Sequence, residues 1–402
     1  MNQKQKEQKW LSLREALRAK SPIANEIIDA LRDHHALYSG KLIDWLADLY
    51  DPQVGGFYYS NSGRDTDGYL PDIESTYQAV NILTHGGVFD SVKDFPDSMK
   101  NGIKNFTLSL FSEDDGYIYH PQWGKSISDS RRGRDLNWAV NLSSSFGFDF
   151  PSPTAHQRLA GNKEKEPAAI PPHLKDKRAF LSYLESFDWK TKAYSAGNQL
   201  AAQINEISAR GLLDTALDFL DSVQNPDTGV WHTDSGYAAV NAAFKISFLY
   251  IAGQRRMPNT DLLLDSAISA ITTDKENPGT VCYVYNTWYN ILNILKTLDT
   301  EDAVTSRMLE GAPDAIRKTT EKLSLFRIDD GSFSMCQGHT VAESQRARVA
   351  LSNNIKEGDV NATVIASVST TQNIYSAIGE RANGITLFGD EERCAFLERI
   401  AK

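Results

Sequence analysis

The sequence predicts an all-α fold, a single (α/α)6-type toroid of about six helical hairpins joined by short glycine-rich turns. Two observations carry this. A turn of the form acidic residue, glycine, aromatic residue returns every fifty to sixty positions, and the segments between turns place apolar residues at helical rather than strand spacing. Composition agrees: 41% hydrophobic and 23% charged residues over 402 positions is a globular balance, in a chain long enough to bury one large core.

The turns lie at Gly55-Gly56-Phe57 after Asp51, at Asp114-Asp115-Gly116-Tyr117, at Asp227-Thr228-Gly229-Val230-Trp231 and at Asp329-Asp330-Gly331-Ser332-Phe333, with a weaker copy at Pro278-Gly279-Thr280. Glycine relieves the steric cost of positive φ where the chain reverses, and Asp or Asn bonds its own backbone. The gap between Gly116 and Gly229 is close to two periods, so one degenerate unit is expected there without its turn. A Pro-rich stretch in that gap, about 148–175, reads as an irregular insertion. The remainder of 1–402 reads as one domain, with N-terminal helices over 8–50 packing on it.

Taken in order, Ile43, Trp45, Leu46 and Leu49 form the first apolar helix face and Tyr77, Val80 and Leu83 the second. Leu212, Leu213, Ala216, Leu217 and Leu220 repeat the pattern. The runs Phe244 to Tyr250 and Tyr289 to Leu295 are apolar almost all round, which suits inner helices covered on most sides. Asp72, Asp135 and Asp234 are expected to cap the helices that follow the turns.

With these residues in hand, the chain resembles the (α/α) toroid superfamily over roughly Gly40 to Ser376. The resemblance rests on Gly55-Gly56-Phe57-Tyr58-Tyr59-Ser60, on Asp72-Ile73-Glu74-Ser75-Thr76-Tyr77-Gln78-Ala79 and on Asp227 to Trp231. That superfamily includes polysaccharide lyases, glycoside hydrolases, terpene cyclases and prenyltransferase subunits. The Asp-x-Asp-Asp acid motif of the cyclases is missing, with Asp65-Thr66-Asp67-Gly68 and Ser112-Glu113-Asp114-Asp115 only approaching it. The resemblance therefore implies a carbohydrate-active enzyme. One scaffold carries many reactions, so the chemistry must be argued from residues.

Elimination next to a uronate needs a base, a group that neutralises the carboxylate and often a proton donor. His232 and His339 follow glycine turns, and Tyr194 lies four residues before Asn198 on one helix face. Arg64 and Arg134 can meet a carboxylate with two parallel bonds. Hydrolysis instead needs two carboxyl groups, one protonated and one ionised. Asp72 and Glu74 are the candidates, although i, i+2 spacing points two helical residues to different faces; Asp227 or Asp359 would then supply the partner. Trp123, Trp138, Trp231 and Trp288 are candidate sugar platforms, with Asn241 and Asn286 as amides for hydroxyl groups. Elimination stands ahead of hydrolysis here, followed by a terpenoid or prenyl-type enzyme and a non-catalytic glycan-binding protein.

Other features narrow the function. A net charge of −10 disfavours nucleic acid as a partner, and no apolar run is long enough to span a membrane. The run Ser130-Arg131-Arg132-Gly133-Arg134-Asp135 could meet an acidic substrate, but reads first as a solvated loop. His34-His35 also reads as solvated, His120 and His85 as secondary candidates, and Cys282 as a buried inert thiol. The polar N-terminus and three scattered cysteines suggest a cytoplasmic protein with reduced thiols. No Walker, Gly-x-Ser-x-Gly or dinucleotide fingerprint is present, so no cofactor is expected. Cys336 and His339 offer two metal ligands at most, short of a zinc site.

Overall fold

The computed structural model describes residues 1–161, 170–299, 302–344, 346–348 and 354–401. Residues 162–169 of the expected insertion lie outside them.

The described residues are mostly helical. Three helices open the chain, α1 (Gln3–Arg18), α2 (Ala24–Ala36) and α3 (Gly40–Asp48). The single turn α4 (Asn61–Arg64) is followed by α5 (Ile73–His85), α6 (Asp97–Ser109), α7 (Asp129–Phe146) and α8 (Ala155–Gly161). Next come α9 (Lys177–Glu185), α10 (Ala193–Ala202), α11 (Ile204–Ala209), α12 (Leu213–Val223) and α13 (Tyr237–Ala252). Then α14 (Thr260–Thr272), α15 (Val281–Lys296), α16 (Ala303–Ser324), α17 (Val360–Val364), α18 (Thr370–Ala377) and α19 (Asp390–Ile400) complete the set, with a π turn at Ile365–Ser369 between α17 and α18. The strands among the described residues form two short antiparallel pairs, β1 (Tyr50–Asp51) with β2 (Gly56–Phe57) and β3 (Glu343–Ser344) with β4 (Ala347–Arg348).

The nearly all-apolar α13 and the aromatic-rich α15 pack on each other. Helix α10 lies on α13, α15 on α18, and α5 on both α7 and α17. A second set of contacts joins α2 to α16, α16 to α14, and α9 to α12. The degenerate unit between Gly116 and Gly229 contains the pair α9 and α10. Their connection has no glycine; Asp188 Oδ1 instead accepts from the Lys190 and Thr191 N–H groups.

The turns repeat at atomic detail. Gly55, Gly116, Gly229 and Gly331 have φ of +85°, +75°, +71° and +89°, a region that costs other residues about 1–2 kcal/mol. A Cβ on each would lie 2.3 to 2.6 Å from backbone atoms of another helix: Gly102 in α6, Ala155 in α8, Leu263 in α14 and Leu42 in α3 respectively. The weak copy, Gly279, does not share the positive φ.

Beyond two of these turns an identical hydrogen bond recurs. The Phe57 N–H donates to Thr76 Oγ1 and the Phe333 N–H to Thr363 Oγ1, both at 3.0 Å. In each case an aspartate four residues earlier, Asp72 or Asp359, caps the helix that carries the threonine.

Two expected caps are corrected. Asp135 lies inside α7, which Ser128 caps, and α13 begins after Gly236, not Asp234. His34 and His35 are not solvated: both are buried, because they extend the apolar stripe Ile27, Ile28 and Leu31 of α2.

Candidate functional site

The N-terminal ends of α5, α7 and α17 enclose a buried polar cluster centred on Arg131. The Arg131 side chain is fully buried. Its Nε donates to Asp135 Oδ1 at 2.7 Å, one helical turn on, and its Nη1 donates to the Ser344 carbonyl at 2.8 Å. Nη1 also lies 2.8 Å from Glu74 Oε2 in an ion-pair contact, and Nη2 lies 4.0 Å from Asp72 Oδ1. The Trp138 ring covers the guanidinium at 5.2 Å.

Asp72 and Glu74 thus reach the same cation, contrary to the i, i+2 expectation. The helical rotation does not apply to Asp72. It is the N-cap, with extended backbone (φ −130°, ψ 166°), and its carboxylate accepts from the Ser75 N–H and hydroxyl. The run holding Arg131 is likewise not a loop. Arg131, Asp135, Leu136, Ala139 and Leu142 share the buried face of α7.

Glu74 is the most connected of the acids. Its Oε1 accepts from Ser344 Oγ at 2.7 Å and from Gln78 Nε2 at 3.3 Å, and Asn361 Nδ2 donates to the same Ser344 hydroxyl at 3.1 Å. Burial raises the Glu74 carboxyl to about 7, against the pull of Arg131 and the Ser344 bond. Burial also raises Asp135 to about 7, again opposed by Arg131 and assisted by the Asp72 and Glu74 charges. Asp359, capping α17 through the Ala362 N–H and bonded to Thr340 Oγ1 at 2.8 Å, is raised by burial to about 6.

Two neutral groups adjoin the acids. Burial lowers His120 to about 4, with the Asp72 charge acting against it. Its Nδ1 accepts from the Gln122 N–H at 3.1 Å, which places the proton of the neutral ring on Nε2. The Tyr59 phenol is fully buried beside Asp359 and Glu74, and burial holds it protonated. His120 Nε2, Arg131 Nη2 and Asp135 Oδ2 are buried without an aligned hydrogen bond, while the Tyr59 hydroxyl interacts with Ser344 and Asp359.

The other nominated residues are dispersed. Trp231 and Trp288 are fully buried and cannot stack on a substrate. Their indoles donate inward, to the Leu220 carbonyl and to Thr319 Oγ1 respectively, because both rings fill space between helices. The Arg64 fork is closed on Asp65 at 2.7 and 2.9 Å. His232 Nδ1 accepts from the Asp234 N–H at 3.0 Å in the turn before α13, and His339 Nδ1 lies 3.1 Å from the Gln337 carbonyl in the turn after Cys336. Asp227 is exposed in its turn, its N–H bonded to Asn225 Oδ1. Trp123 Nε1 donates to the Arg348 carbonyl at 2.5 Å.

A second group of nominated residues lies on α7, α10, α13 and α15, with Asn241 buried. Tyr194 and Asn198 are exposed on α10, and Arg134 is exposed on α7. Asn286 on α15 donates to Asn241 on α13 at 2.7 Å. Half-buried Cys282 has its thiol 3.7 Å from Met335 Sδ, and burial raises it to about 11, so it stays protonated.

Tyr59 and Ser344 carry no signal in the sequence, and Arg131 and Asp135 are read there only as part of a basic run and as a helix cap. For Arg131 and Asp135 a signal existed: their spacing of four in register with Leu136, Ala139 and Leu142. Among the described residues no cluster of three or more His, Cys, Asp or Glu is placed to hold a metal ion, and no helix is long and apolar enough to cross a membrane.

In comparison with known proteins, no protein family, curated protein or solved structure matches the chain.

Proposed function

We propose that this chain is a carbohydrate-active enzyme built as an (α/α) toroid, and that it hydrolyses a glycosidic bond with Glu74 and Asp135 as its carboxyl pair. The observation that carries the reading is geometric: two fully buried carboxyl groups, Glu74 and Asp135, contact one guanidinium at 2.8 and 2.7 Å, and burial raises both. Near neutral pH one member of such a pair can be protonated while the other is ionised. One member can then protonate the leaving oxygen while the other takes a proton from water.

The toroid is supported by two circuits. Each turn glycine abuts a helix farther along the chain, except Gly331, which abuts α3 at its start. Electrostatic neighbours follow the same circle. Asp135 on α7 feels Glu74 on α5, Glu74 feels Asp359 at the head of α17, and Asp359 acts on Cys282 of α15. Cys282 and Lys245 of α13 feel each other, while Arg134 of α7 acts on both Lys245 and Tyr194 of α10. This chain of neighbours, drawn from six helices, is what supports reading them as a ring.

Elimination is the second reading, favoured by neutral His120, whose Nε2–H can donate a proton to a leaving oxygen. Its earlier nominees His232 and His339 make their bonds within separate turns. The acid-rich surroundings of Arg131 also repel a carboxylate at the bond to be cleaved.

Incubation with a panel of oligosaccharides separates the readings. Hydrolysis releases reducing ends without an ultraviolet-absorbing unsaturated uronate, and Glu74→Gln should lower turnover by roughly 10²–10⁴-fold. An unsaturated product would establish elimination instead. Binding of a glycan without any cleavage would leave a non-catalytic glycan-binding protein.

A further inference from the structure

We propose that the β3–β4 hairpin is a lid that lifts to uncover the Arg131 cluster, and that Ser344 holds the place of an incoming hydroxyl while the lid is shut. What enters rests on the carbohydrate reading; the opening itself does not.

The need for an opening comes from burial. The Glu74, Arg131 and Asp135 side chains are 0% exposed, so no glycan meets them in the closed arrangement. The hairpin supplies part of the cover. Ser344 pairs with Ala347 and Glu343 with Arg348. Ser344 and Ala347 are buried, while Glu343, Arg346 and Arg348 are exposed, the alternation of a strand pair lying on a surface. From the buried face the Ser344 hydroxyl donates to Glu74 Oε1 at 2.7 Å, and its carbonyl accepts from Arg131 Nη1 at 2.8 Å.

The hold is polar and small. Ala347 packs on Tyr59 in a two-residue cluster separate from the main core, so closure gains little from apolar burial. Two strands without a third are marginal on their own. Further anchors are the Asn361 Nδ2 bond to Ser344 Oγ at 3.1 Å and the Trp123 Nε1 bond to the Arg348 carbonyl at 2.5 Å. Against these stands the cost of keeping a guanidinium and carboxyl groups from water, which opening relieves. A segment with so little apolar contact opens well below the free energy of global unfolding.

The base of the hairpin is tied down. The Thr340 N–H donates to the Ile355 carbonyl at 2.9 Å, the Asn354 N–H to the Thr340 carbonyl at 3.2 Å, and Thr340 Oγ1 to Asp359 at 2.8 Å. Lifting can therefore start beyond Thr340 and leave α17 with its Asp359 cap in place. Withdrawal of Ser344 frees Glu74 Oε1, Asn361 Nδ2 and Arg131 Nη1 together. A substrate hydroxyl, which both donates and accepts, can replace the serine hydroxyl between the first two.

The test reads accessibility, not activity. In Ala347→Cys the introduced thiol should react with a maleimide roughly 100-fold or more faster than global unfolding of the same variant allows, with exposed Cys394 as the fast reference. Phenylglyoxal should modify Arg131 of the unaltered chain through the same opening, as read from peptide mass. Trp123→Phe, which removes the bond to the Arg348 carbonyl, should speed both reactions by roughly two- to tenfold, the worth of one hydrogen bond. A thiol that reacts only as fast as global unfolding allows overturns the proposal. So does a reactive thiol beside an unmodified Arg131, because the hairpin would then move without uncovering the cluster, and so do parent rates in Trp123→Phe. Neither reaction involves a glycan, so a chain that opens but cleaves no glycosidic bond keeps the lid and loses the hydrolytic reading.

Discussion

Ser344 is the residue on which the buried cluster turns. Its hydroxyl sits between Glu74 and Asn361 and its carbonyl takes a bond from Arg131, so one residue uses the donors and acceptors that a sugar hydroxyl would use. The bond to Oε1 stabilises the charged form of Glu74 and partly offsets the effect of burial. Ser344→Ala should therefore raise the Glu74 carboxyl further above about 7. Carbon-13 titration of labelled glutamate side chains would check this. An unchanged midpoint would show that the hydroxyl does not control the proton.

At the scale of elements, legibility depended on whether chemistry coincided with periodicity. The turn glycines could be read because their backbone requirement is local. The buried face of α7 was missed because three arginines in six residues outweighed the four-residue spacing of Arg131 and Asp135. Ser344 gave no signal, since its role depends on a hairpin brought to α5 across 270 residues.

The same locality yields a stability test. Gly331→Ala meets two penalties, a positive φ of +89° and a Cβ 2.6 Å from the Leu42 nitrogen, while Gly68→Ala meets only a φ of +78° with nothing within 4 Å. Gly68→Ala should cost about 1–2 kcal/mol. Gly331→Ala should cost more, because α3 must also shift. Urea unfolding of both variants measures the difference, and equal losses would mean that the approach to α3 carries no weight.

Across the whole molecule, the two ends of the chain are joined through a buried histidine pair. His34 on α2 bonds Thr320 of α16 at 3.1 Å and Thr371 of α18 at 2.9 Å, and His35 bonds the Tyr375 hydroxyl at 2.9 Å. Position on the α2 stripe, rather than the polarity of the ring, decided their burial. Burial lowers His34 to about 3 and His35 well below its ordinary value of 6.5. Between those limits the unfolded chain binds protons that the folded chain refuses. Their contribution to stability is complete above pH 6.5 and is lost as pH falls toward 3, at ~1.4 kcal/mol per pH unit for each ring. Glu74 and Asp135 act in the opposite sense: raised to about 7 in the folded chain, they stabilise at low pH and lose that contribution as pH rises through about 7. Between pH 4 and 6, His120, lowered to about 4, adds to the histidine side of the slope and Asp359, raised to about 6, to the carboxyl side. Replacing His34 and His35 together by asparagine should remove their share of the acid-side loss, so that stability rises less steeply with pH over this range than in the parent. Urea unfolding across the pH range compares slopes rather than absolute stabilities, so hydrogen bonds lost with the rings do not obscure it. A double variant with the same slope as the parent would mean that this junction opens to water before the chain unfolds.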